Sequence, residues 1–158
     1  MIDVLNLGCG MKRIEKEGWR VVNNDRMEDP KRPWIDVVWD LDTIPWPWED
    51  NSFDRVVALS VFEHLRITLF EALDECWRVL RPGGVLRLKV PHHAADMAYR
   101  DASHIWRGWS VHVLDDFDPD TRLGRELAYY GHKQWKILQP ARLNRARSSF
   151  AAELQVRK

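Results

Sequence analysis

Hydrophobic positions along this chain fall into two alternating patterns. Short unbroken runs rich in β-branched residues occupy Ile2 to Leu7, Trp19 to Val22, Val37 to Trp39, Phe53 to Leu59 and Val85 to Val90, as expected for parallel strands buried on both faces. Between the fourth and fifth runs lies a helical pattern over residues 67–80. There Ile67, Phe70, Leu73, Cys76 or Trp77 and Leu80 recur every three or four positions, and Pro82-Gly83-Gly84 then stops the helix. Asp118 followed by Pro119 reads as an N-cap with proline at the first helical position. Leu123, Leu127 and Tyr130 form that helix's buried stripe and Gly131 ends it. The link between the first two strands leaves room for only a turn or two of helix around Lys12 to Lys16. Gln134 to Leu138 and Phe150 to Val156 read as a terminal pair of strands, antiparallel on the sheet edge. The pattern predicts an α/β fold with an open, doubly wound, mostly parallel sheet and an antiparallel edge strand. Ligands of such a sheet bind beyond the carboxyl ends of its strands, at the switch in strand order.

With 158 residues, 45% of them hydrophobic, the chain is expected to form a single domain over residues 1–158. Its 24 basic and 24 acidic residues cancel, so bulk charge argues for neither nucleic acid nor membrane as partner. The basic stretch Arg142, Arg145, Arg147, Arg157 and Lys158, against the single acid Glu153, reads as a solvated edge. Only Cys9 and Cys76 are present, which makes no disulfide framework and no metal-ligand spacing; a cytoplasmic location is expected. No basic leader precedes the first strand and no run approaches the roughly 18 apolar residues of a membrane span, so secretion and membrane insertion are disfavoured.

Candidate chemistry begins where the first strand runs into Gly8-Cys9-Gly10, with Asp25 closing the second apolar run. Glycines let a backbone bend sharply and approach a ligand, and a carboxylate at the next strand's end can accept both hydrogen bonds of a ribose diol. That layout points to a nucleoside crevice. A full dinucleotide fingerprint places a third glycine at position 13, where this chain has Arg13, so a nicotinamide-dependent oxidoreductase ranks lower.

Leu5-Asn6-Leu7-Gly8-Cys9-Gly10, Asn24-Asp25, Asp40-Leu41, Pro45-Trp46, Asn51-Ser52-Phe53-Asp54, Glu63-His64-Leu65 and Arg78-Val79-Leu80-Arg81-Pro82-Gly83-Gly84 follow one another in order over about residues 2–92. Together they resemble the class I, Rossmann-like S-adenosylmethionine-dependent methyltransferases. The resemblance implies S-adenosylmethionine as cofactor, with Gly8, Cys9 and Gly10 against its amino-acid portion and Asp25 on the ribose hydroxyls. It further implies Asp40, with Asp42 as competitor, on the adenine amino group and the Leu41 amide on the ring. Ser60, Val61 and Phe62 would lie beneath the methionine moiety. Asn6 stands where the family often carries an acid.

The implied reaction is in-line methyl transfer to an unidentified acceptor, small molecule or macromolecule, for which alignment in a dry pocket is the main task. Where a proton must be removed, a histidine is suited to it. Candidates are His64, His92, His93 and the pair Asp101 and His104, each with a structural alternative. Trp46, Trp48, Trp106 and Trp109 are placed in rim loops, for stacking or for packing. The chain has no helical extension before its first strand, so an open cofactor site, or one covered by a second copy or another subunit, is expected. A non-catalytic cofactor-binding or assembly subunit is the alternative function.

Overall fold

Strands β1 (Ile2–Leu7), β2 (Trp19–Asp25), β3 (Val37–Val38), β4 (Phe53–Leu59), β5 (Leu80–Pro91), β6 (Trp135–Leu143) and β7 (Ser149–Val156) form one sheet in the order β3-β2-β1-β4-β5-β7-β6. The computed structural model describes residues Met1–Lys158. The chain steps outward from β1 to β2 and β3, then returns to add β4 and β5 on the other side of β1, all in parallel. The switch in strand order therefore lies between β1 and β4, and a crevice opens there beyond their carboxyl ends. β7 pairs antiparallel with β5 and β6 antiparallel with β7, as the terminal runs predict.

Helix α1 (Leu69–Val79) supplies the β4-to-β5 crossover. Thr68 caps its N-terminus in a reciprocal capping box with Glu71, which stabilises the first turn by about 1 kcal/mol. Its buried face is Ala72, Leu73, Glu75, Cys76 and Val79. Full burial of a leucine such as Leu73 is worth about 1.5–3 kcal/mol. Phe70, expected in that stripe, instead turns outward and stacks on His132, its ring centroid 4.3 Å away.

Pro82-Gly83-Gly84 does not terminate the helix, which has already ended at Val79. The tripeptide is an irregular stretch within β5, where the pairing with β4 shifts between Phe53 and Arg55. A Cβ on Gly84 would lie 2.9 Å from the Arg81 carbonyl oxygen and 3.2 Å from that of Asp54, so the backbones meet there without room for a side chain. Arg81 beside it pairs with Asp3 and Asp54, each at 2.9 Å, at the amino-terminal end of the sheet.

Two expected helices differ in the structure. No helix forms around Lys12 to Lys16, and the whole β1-to-β2 link is irregular. Asp118 is not an N-cap: it is buried, with one carboxylate oxygen accepting from the Ile137 amide at 2.7 Å and the other from the Asp120 amide. Thr121 caps helix α3 instead, which runs only from Arg122 to Glu126. Its tightly buried residue is Gly124, while Leu123 and Tyr130 are 37% and 61% exposed, so the expected stripe does not form. Gly131 does end the segment, in the left-handed conformation. A four-residue helix α2 (Met97–Arg100) lies between β5 and these elements.

The loop carrying Trp46 is tied to α1 by a partly buried ion pair. Trp46 donates its amide to Glu75 at 2.6 Å, and Arg78 bonds Glu75 and the carbonyls of Trp46 and Trp48. Burial pushes the Glu75 carboxyl up, but Arg78 and the Trp46 amide outweigh it and hold the group below its ordinary 4.5. The folded state therefore binds this proton more weakly than the unfolded chain, and acidification below pH about 4.5 favours unfolding. Urea unfolding followed by tryptophan fluorescence is expected to show stability falling as the pH drops through that range. Glu75→Gln should be less stable than wild type at pH 7 and should show a shallower acid dependence.

Candidate active site

The turn after β1 is clamped to the end of β2 by two backbone donors. The Cys9 amide bonds the Asn24 carbonyl at 2.8 Å, and the Gly10 amide bonds Asp25 Oδ2 at 3.0 Å. Gly8 and Gly10 have φ of 53° and 51°, a conformation that costs an L-residue about 1–2 kcal/mol. The two glycines differ in surroundings. A Cβ on Gly8 would lie 2.8 Å from Val61 Cγ2, whereas one on Gly10 meets nothing closer than 3.9 Å. Asn6, buried beneath the turn, donates to the Lys12 carbonyl and to Asn23, so it shapes the loop from below. Cys9 is buried and its thiol is pushed up by desolvation, so it fills space as an unreactive side chain.

Asp25 sits at the mouth of a cleft of about 310 Å³ that Gly8, Trp39, Asp40, Leu41, Ser60 and Val61 also line. Both of its oxygens are already engaged. Oδ2 accepts from the Gly10 amide and from Arg32 at 2.7 Å, and Oδ1 accepts from the Arg26 amide at 2.7 Å. One lone pair, on Oδ1, remains for a ligand; a second ligand hydroxyl requires Arg32 to leave Oδ2. Asn24, adjacent and fully buried, has a structural role: its amide group bonds the carbonyls of Val37 and Trp39 and fixes where the third-strand loop begins.

That loop brings Asp40, Leu41 and Asp42 to the cleft, and the two acids differ in how far their oxygens are already engaged. Asp42 Oδ1 accepts the amides of Arg66 at 2.6 Å and Ile67 at 3.2 Å, which ties the loop to the segment before α1. Asp40 accepts only the Asp42 amide at 3.1 Å, and the Leu41 amide has no protein acceptor. On the opposite wall Ser60 takes a left-handed φ of 59°, uncommon for a residue with a side chain and held by its amide on the Lys89 carbonyl.

The expected histidines divide into two groups. His92 and His93 do not reach the cleft. His92 lines a separate cavity with Met97, Arg100 and Arg147, because β5 bridges at His92 to Trp109 and turns away, and His93 is exposed beside it. His64 and His104 do converge, with ring centroids 4.8 Å apart. They line a second cavity of about 270 Å³ with Glu63, Lys89, Arg100 and Asp101, and this cavity shares Ser60 and His64 with the cleft. Asp101 accepts the Ser103 amide and hydroxyl, and the following Ile105 and Trp106 amides bond the Glu63 carbonyl, so the segment is docked on the turn Phe62–His64. Glu63 is 2% exposed and burial pushes its carboxyl up to about 7.

Trp46 is a core residue, 2% exposed, with its indole N–H on the Leu41 carbonyl, and Trp48 packs edge-on against it and Phe53. Neither they nor Trp106 and Trp109 line the cleft. The aromatic face there is Trp39, which a strand reading of residues 37–39 conceals.

Residues 5–88 match the methyltransferase domain family. The chain belongs to that family. A probable S-adenosylmethionine-dependent methyltransferase of Mycolicibacterium smegmatis is 34% identical over 110 residues, covering 63% of this chain and 42% of its own length. The chain thus spans less than half the length of this curated relative. Solved structures share the fold of this methyltransferase-family chain: a SAM-dependent methyltransferase of Aquifex aeolicus (TM-score 0.62, 14% identity, 98% of this chain and 82% of that one) and a Haloferax volcanii putative methyltransferase in complex with the Trm112 methyltransferase activator (0.63, 17%, 99% and 83%). The [4+2]-cyclase SpnF also shares it (TM-score 0.67, 14% identity, 99% and 74%), so function must be argued from the site.

Gly8→Ala is expected to lower stability by about 1–3 kcal/mol through its positive φ and the contact with Val61, and Gly10→Ala by about 1 kcal/mol through φ alone. Urea midpoints of the two variants check the order.

Proposed function

We propose that this chain binds S-adenosylmethionine in the β1–β4 crevice and transfers its methyl group to an acceptor held in the adjoining cavity. The observation that carries the reading is the pairing of two connected spaces at the carboxyl ends of β1, β2, β4 and β5. One is lined by Asp25, Asp40 and Gly8 of the glycine turn, and the other by Glu63, His64 and His104.

The residues present fit the donor. The free lone pair on Asp25 takes a ribose hydroxyl, the open oxygen of Asp40 takes the adenine amino group, the Leu41 amide donates to the ring, and Trp39 offers an apolar face beside it. Gly8 supports the amino-acid portion from one side, with Cys9 and Gly10 shaping the turn behind it, and Ser60 and Val61 support it from the other. Bound there, the cofactor supplies a methyl group on a sulfonium, poised for displacement. The chain's own contribution is alignment: the wall between the two spaces is Ser60 and His64, so donor and acceptor meet across it.

The open flank of the cleft suits a covering subunit, and the Haloferax volcanii relative solved with its activator supports a partner of that kind. No helix of the chain is long and apolar enough to cross a membrane. Two free, buried cysteines suit a reducing compartment, and a cytoplasmic site of action is part of the proposal.

Methyl release from labelled S-adenosylmethionine into pooled acceptors tests the proposal, with Asp25→Asn as the comparison. Loss of a charge-assisted hydrogen bond worth about 1.5–3 kcal/mol should weaken S-adenosylhomocysteine binding by roughly 10- to 150-fold and lower transfer at limiting cofactor. Binding of the cofactor product without transfer to any acceptor would favour the non-catalytic, assembly-subunit reading. Binding of dinucleotide in its place would overturn both.

A further inference from the structure

We propose that Glu63, His64 and His104 bind a divalent first-row transition-metal cation in the cavity beside the cofactor cleft. The use made of the cation rests on the methyltransferase reading; its binding does not.

One ligand atom from each of the three residues lies within 4.8 Å of the other two. The centre of a triangle with that edge is about 2.8 Å from each corner, so an inward movement of about 0.7 Å per side chain reaches the ~2.1 Å of a metal–imidazole bond. The hydrogen bonds of each histidine leave one ring nitrogen available. His104 Nδ1 faces the Ala98 carbonyl at 3.2 Å, which places the ring proton there and leaves Nε2 as a lone pair. For His64, the Ser103 hydroxyl donates its proton to Asp101 and accepts from His64 Nδ1 at 3.1 Å, which again leaves Nε2 free. A carbonyl or hydroxyl behind the ring is the usual support of a ligating histidine.

Glu63 supplies the independent observation. Its side chain is 2% exposed, on the wall of a cavity lined mostly by polar residues, and Oε2 has no hydrogen-bond partner. An orphaned buried carboxyl oxygen is costly, and a cation in the cavity removes that cost. Asp101 Oδ2, 3.6 Å from His104 Nε2, stands within reach as a further ligand or as an outer partner.

Two imidazoles and a carboxylate favour zinc, cobalt, nickel or iron over magnesium or calcium, which prefer all-oxygen shells. Lys89 and Arg100 also line the cavity, and their charges offset those of Glu63 and Asp101. A dication would then leave the site positive, with its open position facing the cavity, so an acceptor presenting an oxygen is the natural further ligand. Coordination of such an oxygen would ease loss of its proton.

Titration of chelator-stripped protein with Co²⁺ alone, without cofactor, followed by the visible absorption of the bound ion, tests this directly. One equivalent per chain is expected, with Glu63→Gln and His104→Asn each weakening binding at least tenfold. His112→Asn, at the exposed pair with Asp115, should leave it unchanged. Thermal unfolding checks that the variants fold, and His64→Asn at the partly exposed corner carries the test if a buried variant does not. No saturable binding by the wild type, or equal binding by wild type and the Glu63, His64 and His104 variants, would overturn the proposal. Because the titration contains no cofactor, its failure is distinct from failure of the methyltransferase reading.

Discussion

The hydrogen bond from the Gly10 amide to Asp25 is the constraint on which the site depends. It joins the turn after β1 to the last residue of β2, and with the Cys9-to-Asn24 bond it fixes the two loops that any ligand in the crevice must touch. The bond has a consequence for recognition. A carboxylate that orders the glycine turn has fewer lone pairs to give away, and Arg32 takes another. Asp25 is thus both the architect of the site and a group whose remaining capacity is limited.

The motifs that identify the family divide into two sets at opposite ends of the sheet. Gly8 to Gly10, Asp25 and Asp40 to Leu41 lie at the carboxyl ends, where Gly8, Asp25, Asp40 and Leu41 line the cleft. Asp54 and Arg81 to Gly84 lie at the amino-terminal end, where Arg81 bridges Asp3 and Asp54 and Gly84 permits close backbone packing. Partly exposed pairs of this kind contribute modest stability each. Their part is to fix the register of β5 against β4 and β1, and hence where Ser60 and Lys89 meet at the other end.

How much of this was legible in the sequence follows from how local each signal is. The parallel strands, the antiparallel edge pair, α1 and the glycine turn were legible, because short β-branched runs and helical spacing are read within a few residues. Asp118 was misread because its carboxylate is claimed by Ile137, nineteen residues away, and not by the helix that follows it. Trp46 was placed in a rim because a loop tryptophan between prolines gives no hint of the Glu75–Arg78 pair that draws it into the core. His92 and His93 were candidates because histidines suit proton removal, but they follow β5 where the bridge to Trp109 carries the chain away from the cleft. The meeting of Glu63 and His64 with His104 depends on the docking of residues 101–106, a tertiary event that spacing along the chain cannot report.

Hydrogen exchange of the backbone amides with and without S-adenosylhomocysteine tests the central claim most directly. Slowed exchange at Gly8 to Gly10, at Asp25 and Arg26, at Leu41 and at Ser60 and Val61, with the β1-to-β2 link from Arg13 to Glu17 unchanged, is the result the site predicts. Protection confined to that link, or none anywhere at saturating ligand, would contradict it.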